Sequence, residues 1–230
     1  MMMTSSTEEH SVYLARRWYR VCDAQGSQAA AIVSGELLSD VYEISGIHLE
    51  EDDIVLDIGG HIGLFAIYAA TRWPGVQVHS FEAYASNADL FEHNVAASGL
   101  TNIHLNRIAV TGDGLPIQLS FNPTNSGGTT SFSRTLTPVS SETIPSITLD
   151  TIFDQLGISD CGLLKIDCEG AEYGILHATT MLSRVRHLRG EFHTNDLLAS
   201  HGRDPHQLAD RCRQAAPNCE LRYGVCEISQ

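Results

Sequence analysis

The chain has 230 residues, 43% of them hydrophobic, so it can bury a full core, and we expect one domain over residues 1–230. Its 14 basic and 28 acidic residues give a formal net charge of −14, which argues against nucleic-acid or anionic-membrane binding, because phosphate contacts need a basic surface. The N-terminus lacks the apolar segment of a secretory signal, and no apolar run is long enough to span a bilayer. Six cysteines without a CxxC pair are typical of a reducing compartment, so we expect a cytoplasmic protein.

The first 50 residues predict a helical lead-in, with a helix over residues 8–24 and an irregular stretch over residues 29–49. From residue 51, strands and helices alternate. The predicted strands are IVLDI (54–58), VQVHSFEA (76–83), NIHLNRIAV (102–110), PIQLSF (116–121), CGLLKID (161–167), HLRGEFH (187–193) and one near CELRYGVCEI (219–228). The main predicted helices are IGLFAIYAATRW (62–73), SNADLFEHNVAASG (86–99), AEYGILHATTML (171–182) and DPHQLADRCRQAA (204–216). We expect the second of these helices to begin at the capping residue Ser86 and to end at Gly99.

Alternation of this kind predicts an α/β fold with a parallel sheet covered by helices on both faces. The ligand crevice of such a sheet lies at the carboxyl ends of its strands. Residues 122–145 interrupt the alternation with a segment rich in Ser, Thr, Pro and Gly. Loops of that length are usually functional or mobile. Asn125 and Ser126 are therefore candidates to cover a bound substrate, and a mobile surface loop is the alternative.

The turn after the first predicted core strand combines an acid with glycines. Asp57 ends the strand, and Gly59, Gly60 and Gly63 follow it. Glycines let backbone N–H groups approach a ligand closely. The segment contains neither GxGxxG nor GK[ST], which argues against NAD and against a phosphate loop. An acid at this place suits a ligand with a positive amino group, and a plain strand-to-helix turn is the alternative.

Glu82 ends the next strand, 25 residues after Asp57. An acid at this place in a βαβ unit accepts hydrogen bonds from the two hydroxyls of a ribose. The alternative is an acid that favours the N-terminus of the following helix. An acid for an amino group, a glycine turn and an acid for a ribose together predict S-adenosylmethionine as the ligand.

Two further pairs of polar residues follow later strands. Asp167 and Glu169 come after CGLLKI, and Glu191 and His193 end the next strand on one common face. Neighbouring carboxylates raise one another's pKa, so the four residues fit a general base or ligands of a metal, and we name no metal from the sequence. A structural histidine remains the alternative for His193.

Two other residues near these pairs have structural interpretations, either alone or as an alternative to a functional one. Glu172 and Glu169 can both stabilise the start of the next helix through its dipole, and we assign Glu172 to that role alone. Tyr173 opens the same helix and is a candidate to line the substrate pocket. A position in the core is the alternative.

The sequence also resembles a known family. VLDIGGHIGLFAIYAA, FEAYASNADLFEHN and NIHLNRIAV resemble the first three motifs of class I methyltransferases. TLDTIFDQLG, LLKIDCEGAEYGIL and GEFH are similar to later motifs of FkbM-type methyltransferases, and the resemblance spans about residues 40–193. It implies a Rossmann-like class I methyltransferase fold with a mainly parallel seven-stranded sheet. The chain departs from the family pattern DIGANIG at Gly60 and His61.

The resemblance also implies where S-adenosylmethionine binds. The residues implied at its amino-acid end are Asp57, Gly59 and Gly63, and Asp167 is a further cofactor-binding candidate, expected near the sulfonium methyl. Glu82 is implied at the ribose, and Asn87 with the backbone of Ala109 and Val110 is implied at the adenine.

We therefore expect methyl transfer to an oxygen of a small metabolite of secondary metabolism, with a base from among Asp167, Glu169, Glu191 and His193. A second hypothesis is cyclisation of the cofactor to azetidine-2-carboxylate and methylthioadenosine. The residues that would restrain its amino acid are Tyr173, Asn125 and Ser200. A third is a non-catalytic nucleoside-binding module, which has no need of the acid cluster. The expected partner is a small molecule, and a homodimer stays open.

Overall fold

The computed structural model describes residues 6–122, 125–130 and 142–228. Its strands are β1 (Thr7–Leu14), β2 (Arg17–Ala24), β3 (Ile54–Ile58), β4 (Gln77–Phe81), β5 (Ile103–Asn106), β6 (Ala109–Val110), β7 (Ile117–Asn122), β8 (Asn125–Thr130), β9 (Glu142–Ile144), β10 (Ser146–Ile147), β11 (Cys161–Ile166), β12 (Val185–Thr194) and β13 (Glu220–Glu227). Its helices are α1 (Ala29–Leu38), α2 (Leu64–Arg72), α3 (Ala85–Ser98), α4 (Leu149–Gln155), α5 (Glu172–Ala178), α6 (Asp196–Ser200) and α7 (Pro205–Ala215), with a 3-10 helix at Met181–Arg184.

The central sheet has the order β13-β12-β11-β3-β4-β5, and all of its strand pairs are parallel. From β3 the chain proceeds outward through β4 and β5, and it returns to the other side of β3 as β11. The strand order therefore reverses between β3 and β11, which is where ligands bind in open α/β sheets. This confirms the predicted Rossmann-like α/β fold. In the described part of the chain the sheet has six strands, one fewer than expected.

The sheet is covered on both faces because its strands carry apolar residues on both sides. Val55 and Leu163 face a core formed with α1, α2, α3 and the first two strands. Leu56 and Leu164 face the opposite core, which α4, α5 and α7 cover. Two separate cores thus hold the strand ends of the crevice in fixed positions.

The prediction of a helix over residues 8–24 is wrong, since β1 and β2 form an antiparallel hairpin there. Ala15 and Arg16 form its turn with φ values of 45° and 68°, the left-handed pair that suits the twist of a two-residue hairpin. Val12 and Leu14 are buried on one face of β1, so burial follows the two-residue period of a strand. The predicted irregular stretch that follows contains α1.

Two boundaries also differ from the predictions. Helix α3 starts one residue before Ser86, and its N-cap Tyr84 makes no side-chain capping bond, so Ser86 does not cap it. Gly99 does end α3 in the left-handed conformation, as predicted. The predicted strand 102–110 divides into β5 and β6, because β6 leaves the sheet to pair with β10.

None of the helices in these described ranges has the length and apolar composition needed to cross a bilayer. All six cysteines lie in the described ranges, and none of them forms a disulfide.

Candidate active site

The strand ends on either side of the order reversal are locked together. Asp57 of β3 and Lys165 of β11 are partners in the parallel register. One step further, the Asp167 N–H donates to the Ile58 carbonyl at 3.0 Å. The motifs that follow β3 and β11 therefore meet at the reversal point.

The turn after β3 fits closely under Asp167. Gly59 and Gly63 have φ values of +85° and +89°, which favour glycine, and a Cβ on Gly59 would lie 1.8 Å from the Asp167 carbonyl oxygen. The N–H groups of Gly59 and Gly60 both donate to the Phe81 carbonyl at 3.0 Å. These hydrogen bonds fix the turn against the end of β4, and the close approach of the Asp167 carbonyl leaves room only for glycine at position 59.

Glu82 joins this turn to the loop after β4. Its Oε2 accepts from the His61 N–H and its Oε1 from the Tyr84 N–H, each at 2.8 Å. The residue is 8% exposed, and burial raises the pKa of its carboxyl to about 7. Each carboxylate oxygen can accept a second hydrogen bond, so the group retains the capacity to bind ribose hydroxyls.

Asp57 lies below the turn and does not face the crevice. It is 0% exposed; Ser80 Oγ donates to its Oδ2 at 2.9 Å, and Lys165 Nζ lies 3.3 Å from its Oδ1. Burial raises the pKa of Asp57, and Lys165 opposes this change. The expected direct contact between Asp57 and a ligand's amino group does not fit this geometry. Its carboxylate instead positions Lys165.

Lys165 is a site residue that the sequence analysis missed. Its Nζ donates to the Gly59 carbonyl at 2.8 Å and lies 3.6 Å from Asp167 Oδ2. Burial lowers the pKa of Lys165, but Asp57 and Asp167 more than compensate and raise it. The available signal was that Lys165 is the only lysine of the chain and lies in an apolar strand.

The four residues predicted for the base lie together at the ends of β11 and β12. His193 Nε2 is 3.8 Å from Asp167 Oδ1, 3.7 Å from Glu169 Oε2 and 3.9 Å from Glu191 Oε2. Glu191 and His193 point to the same side because they are two residues apart in a strand. We call these four residues the acid–histidine cluster.

Glu172 orients the histidine of this cluster. Its Oε1 lies 2.9 Å from His193 Nδ1 and accepts from the Cys168 N–H at 2.9 Å, while its Oε2 accepts from the Gly170 N–H at 2.9 Å. Burial lowers the pKa of His193, but Glu172 and the nearby carboxylates raise it to about 10. The assignment of Glu172 to the helix start alone is therefore incomplete, since it also fixes the imidazole.

The pKa values of the carboxylates in the cluster are shifted in different directions. For Asp167, burial acts to raise the pKa, but Lys165 and His193 lower it and keep the carboxylate ionised. Burial raises the pKa of Glu169 to about 7, and burial together with Asp167 raises that of Glu191. Glu169 also has a φ of 52°, an uncommon value for a residue with a side chain and one often found at functional sites.

The N-terminal residues cover part of the cluster. Tyr42 OH donates to Asp167 Oδ2 at 3.0 Å, and its ring packs edge-on against Phe65. In α1, burial and then the charges of Glu191 and Asp167 raise the pKa of Glu36 to about 7. The side on which the first 50 residues pack is a tertiary property that local patterns do not encode.

Several predicted site residues lie elsewhere. Tyr173 is buried in the core and its hydroxyl donates to the His193 carbonyl at 2.8 Å, so the structure places it at the core alternative and not in the cluster. Ser200 is exposed and donates to the Leu197 carbonyl of its own helix at 2.8 Å. The backbone of Asn125 and Ser126 is in β8, but their side chains lie outside the described part, as do residues 123–124 and 131–141 of the predicted loop.

The residues implied at the adenine are buried near the end of β4. Asn87 is in α3, while Ala109 and Val110 form β6. Val110 packs in the same core as Phe81, and Ala109 contacts Ala83. Their role at the adenine stays a prediction.

Together, the reversal point, the glycine turn and the two strand-end acids define a protein of the Rossmann-like methyltransferase class. Residues 57–200, more than half of the chain, match the family model of the methyltransferase FkbM domain, so the chain belongs to the FkbM methyltransferase family. This confirms the resemblance found in the sequence.

The chain has low sequence identity to individual relatives. The chain is 26% identical over 211 residues to the 31-O-demethyl-FK506 methyltransferase FkbM of Streptomyces tacrolimicus, covering 73% of this chain and 79% of that protein. It is 23% identical over 144 residues to Methyltransferase 1 of Beauveria bassiana, covering 55% and 58%. Among solved structures, it is similar to a precorrin-6y C5,15-methyltransferase from Geobacter metallireducens, with a TM-score of 0.45, 14% identity and coverage of 76% and 71%.

Proposed function

We propose that this protein transfers the methyl group of S-adenosylmethionine to an oxygen atom of a small metabolite of secondary metabolism. The observation that carries the proposal is the acid–histidine cluster at the point where the strand order reverses, next to the glycine turn and Glu82. The family assignment supports methyl transfer. The Streptomyces relative is named for an O-demethyl substrate, which supports an oxygen acceptor.

The cofactor is S-adenosylmethionine, and the residues present fit it. Gly59 lets the turn after β3 pass closely under Asp167, and Glu82 can accept from ribose hydroxyls. The carboxylate of Asp167 suits the positive charges of its amino-acid end. When bound, the cofactor supplies an electrophilic methyl group.

The chain's own residues then have three tasks. Asp167 or Glu169, whose carboxylates both lie within 4 Å of His193 Nε2, would accept the proton of an acceptor hydroxyl. Lys165 and Tyr42 hold Asp167 from two sides, which fixes its orientation before the ligands bind. The N-terminal segment with Tyr42 covers part of the cluster and would reduce its contact with water.

The first experiment is incubation of the purified protein with S-adenosylmethionine alone, with the nucleoside products followed by mass spectrometry. The proposal predicts binding by calorimetry without turnover. Addition of a panel of small hydroxylated metabolites should then give S-adenosylhomocysteine and a methylated oxygen. Methylthioadenosine formed at a catalytic rate without an acceptor would overturn methyl transfer in favour of azetidine-2-carboxylate formation. Binding without turnover under every condition would favour the nucleoside-binding module.

A matched pair of variants tests the cluster. Glu169→Gln should lower kcat about 10²- to 10⁴-fold if this carboxylate accepts the proton, with cofactor affinity changed only a few-fold. Asp154→Asn, an exposed acid of α4, should leave both quantities unchanged. Equal rates for the two variants would remove Glu169 from the mechanism.

A further inference from the structure

We propose that Asp167, Glu191 and His193 form a binding site for a divalent metal ion. Each residue offers one ligand atom, and the three atoms lie within 4.8 Å of one another. They come from the ends of two adjacent strands, β11 and β12, which are held in register over their length. The site therefore lies on rigid elements.

The spacing of the ligand atoms is that of a slightly expanded metal site. Nitrogen and oxygen ligands lie about 2.0–2.2 Å from such an ion, so ligands of one ion are separated by roughly 3–4 Å. His193 Nε2 is 3.8 Å from Asp167 Oδ1 and 3.9 Å from Glu191 Oε2. Small side-chain rotations would bring the three atoms to bonding distance.

The histidine is oriented as a metal ligand. Glu172 holds Nδ1 at 2.9 Å, which directs Nε2 into the cluster, and the His193 side chain is only 5% exposed. In metal sites a ligating histidine donates its other ring N–H to a carboxylate or carbonyl, which fixes the tautomer. Glu172 occupies that outer position, and it is itself held by the backbone of the turn before α5.

Three carboxylates face His193 Nε2, and a metal ion bound there would take the place of the proton on this nitrogen. The carboxylates of Asp167, Glu169 and Glu191 all lie within 4 Å of this atom. Lys165 is nearest to Asp57 and Asp167 and is shared between them. Like charges at such distances repel, and a divalent ion between them would remove the repulsion.

A ligand set of two carboxylates and one imidazole leaves coordination positions open. Oxygen-rich sites suit Mg²⁺ and Mn²⁺, and imidazole is compatible with Mn²⁺, so Mn²⁺ is the probe of choice. Resting on the proposed function, the open positions would take the acceptor's hydroxyl and lower its pKa, the usual effect of a bound cation on a coordinated oxygen.

Titration of the metal-free full chain with Mn²⁺, followed by electron paramagnetic resonance, tests the site. We expect one saturable Mn²⁺ per chain, in the absence of any cofactor or acceptor. Glu191→Gln and His193→Gln should raise the Kd at least about tenfold, and Glu172→Gln about 10- to 100-fold, as for other outer-shell partners. Asp154→Asn is the matched control and should keep the Kd.

Far-UV circular dichroism and methylthioadenosine binding show whether each variant is folded, and Glu191→Gln is the informative variant if His193→Gln fails to fold. No saturable Mn²⁺ binding, or an equal Kd in Glu191→Gln and the control, would overturn the metal site. Methyl transfer that continues in excess chelator would overturn the part given to the ion in the reaction, while leaving the proposed function intact. Mn²⁺ binding without any methyl transfer would instead remove the proposed function alone.

Discussion

Lys165 is the residue on which the charges of the site depend. It lies between two buried or half-buried acids, Asp57 and Asp167, and donates to the turn through the Gly59 carbonyl. A lysine in a strand of the central sheet is retained only where its charge is paired, because the ammonium loses its hydration there. It therefore connects the end of β3 to the end of β11 by charge as well as by backbone pairing.

Replacement of this cation should cost much of the stability. We expect Lys165→Met to lower the free energy of unfolding by about 3–5 kcal/mol, since it leaves uncompensated carboxylates in the core. Urea unfolding followed by circular dichroism measures this loss. Adding Asp57→Asn to the variant should recover part of it. A loss below about 1 kcal/mol would mean that solvent reaches Asp57 in the variant.

Glu82 should make nucleoside binding depend on pH. Burial raises the pKa of its carboxyl to about 7, and ribose hydroxyls donate to the ionised form. Binding therefore favours the form that is populated above that pH. The affinity for methylthioadenosine, which carries the ribose but no amino group, should rise about tenfold from pH 6 to pH 8.

Calorimetry at several pH values measures this change. Glu82→Gln should bind more weakly at pH 8 and with little pH dependence. An affinity that is flat or falls with pH in the unaltered protein would show that Glu82 does not hold the ribose.

At the scale of residues, the sequence predicted those side-chain positions that follow from the two-residue period of a strand. Glu191 and His193 were placed on one face of a strand, and the structure brings both to Asp167. The pairing of Glu172 with His193 could not be predicted, because it depends on how the first turn of α5 lies against β12. The same limit applies to Asp57, whose pairing with Lys165 depends on the register between β3 and β11.

At the scale of elements, the first hairpin is the part that the sequence misassigned. The segment contains Tyr, Leu, Ala and Arg, which are acceptable in a helix, and its turn at Ala15 and Arg16 lacks the Asn-Gly or Gly that usually marks a hairpin. Tertiary packing against α2 and α3 determines the outcome. By contrast, the core strands were predicted well, since they are buried on both faces and read as apolar runs.

Asn94 of α3 is the polar link that holds this hairpin. Its Oδ1 accepts from the Cys22 N–H at 2.7 Å, and its Nδ2 donates to the carbonyls of Cys22 and Ile62 at 3.0 and 2.9 Å. Asn94→Ala leaves these backbone groups without that partner, and we expect a loss of about 2–4 kcal/mol. Hydrogen exchange should also become faster over residues 7–24.

Asn102→Ala is the comparison for this variant. It removes one bond, from Asn102 Nδ2 to the Val76 carbonyl, and should cost about 1 kcal/mol without changing exchange in the hairpin. If both variants lose the same stability and the hairpin exchanges as before, the link through Asn94 does not hold it.

At the scale of the whole molecule, acids outnumber bases two to one, and some of the bases are enclosed. Lys165 and Arg189 are both buried, so they act on local partners and contribute little to the surface. Much of the excess negative charge therefore repels across the molecule, and the acid–histidine cluster concentrates part of it at the crevice. This repulsion favours a cationic ligand at the crevice and opposes the compact state without one.

Screening should relieve that repulsion and stabilise the protein. Raising NaCl from 0.01 to 0.1 M shortens the Debye length from about 30 to about 10 Å, and we expect the free energy of unfolding in urea to increase by about 1 kcal/mol at pH 7. The sign follows from the net charge of −14, since weakened surface ion pairs would change stability in the opposite direction. At pH 5, near the sequence pI of about 5.0, the net charge is close to zero and the increase should vanish. A decrease at pH 7 would mean that ion pairs such as Arg107 with Asp89 and Glu92 outweigh the net repulsion.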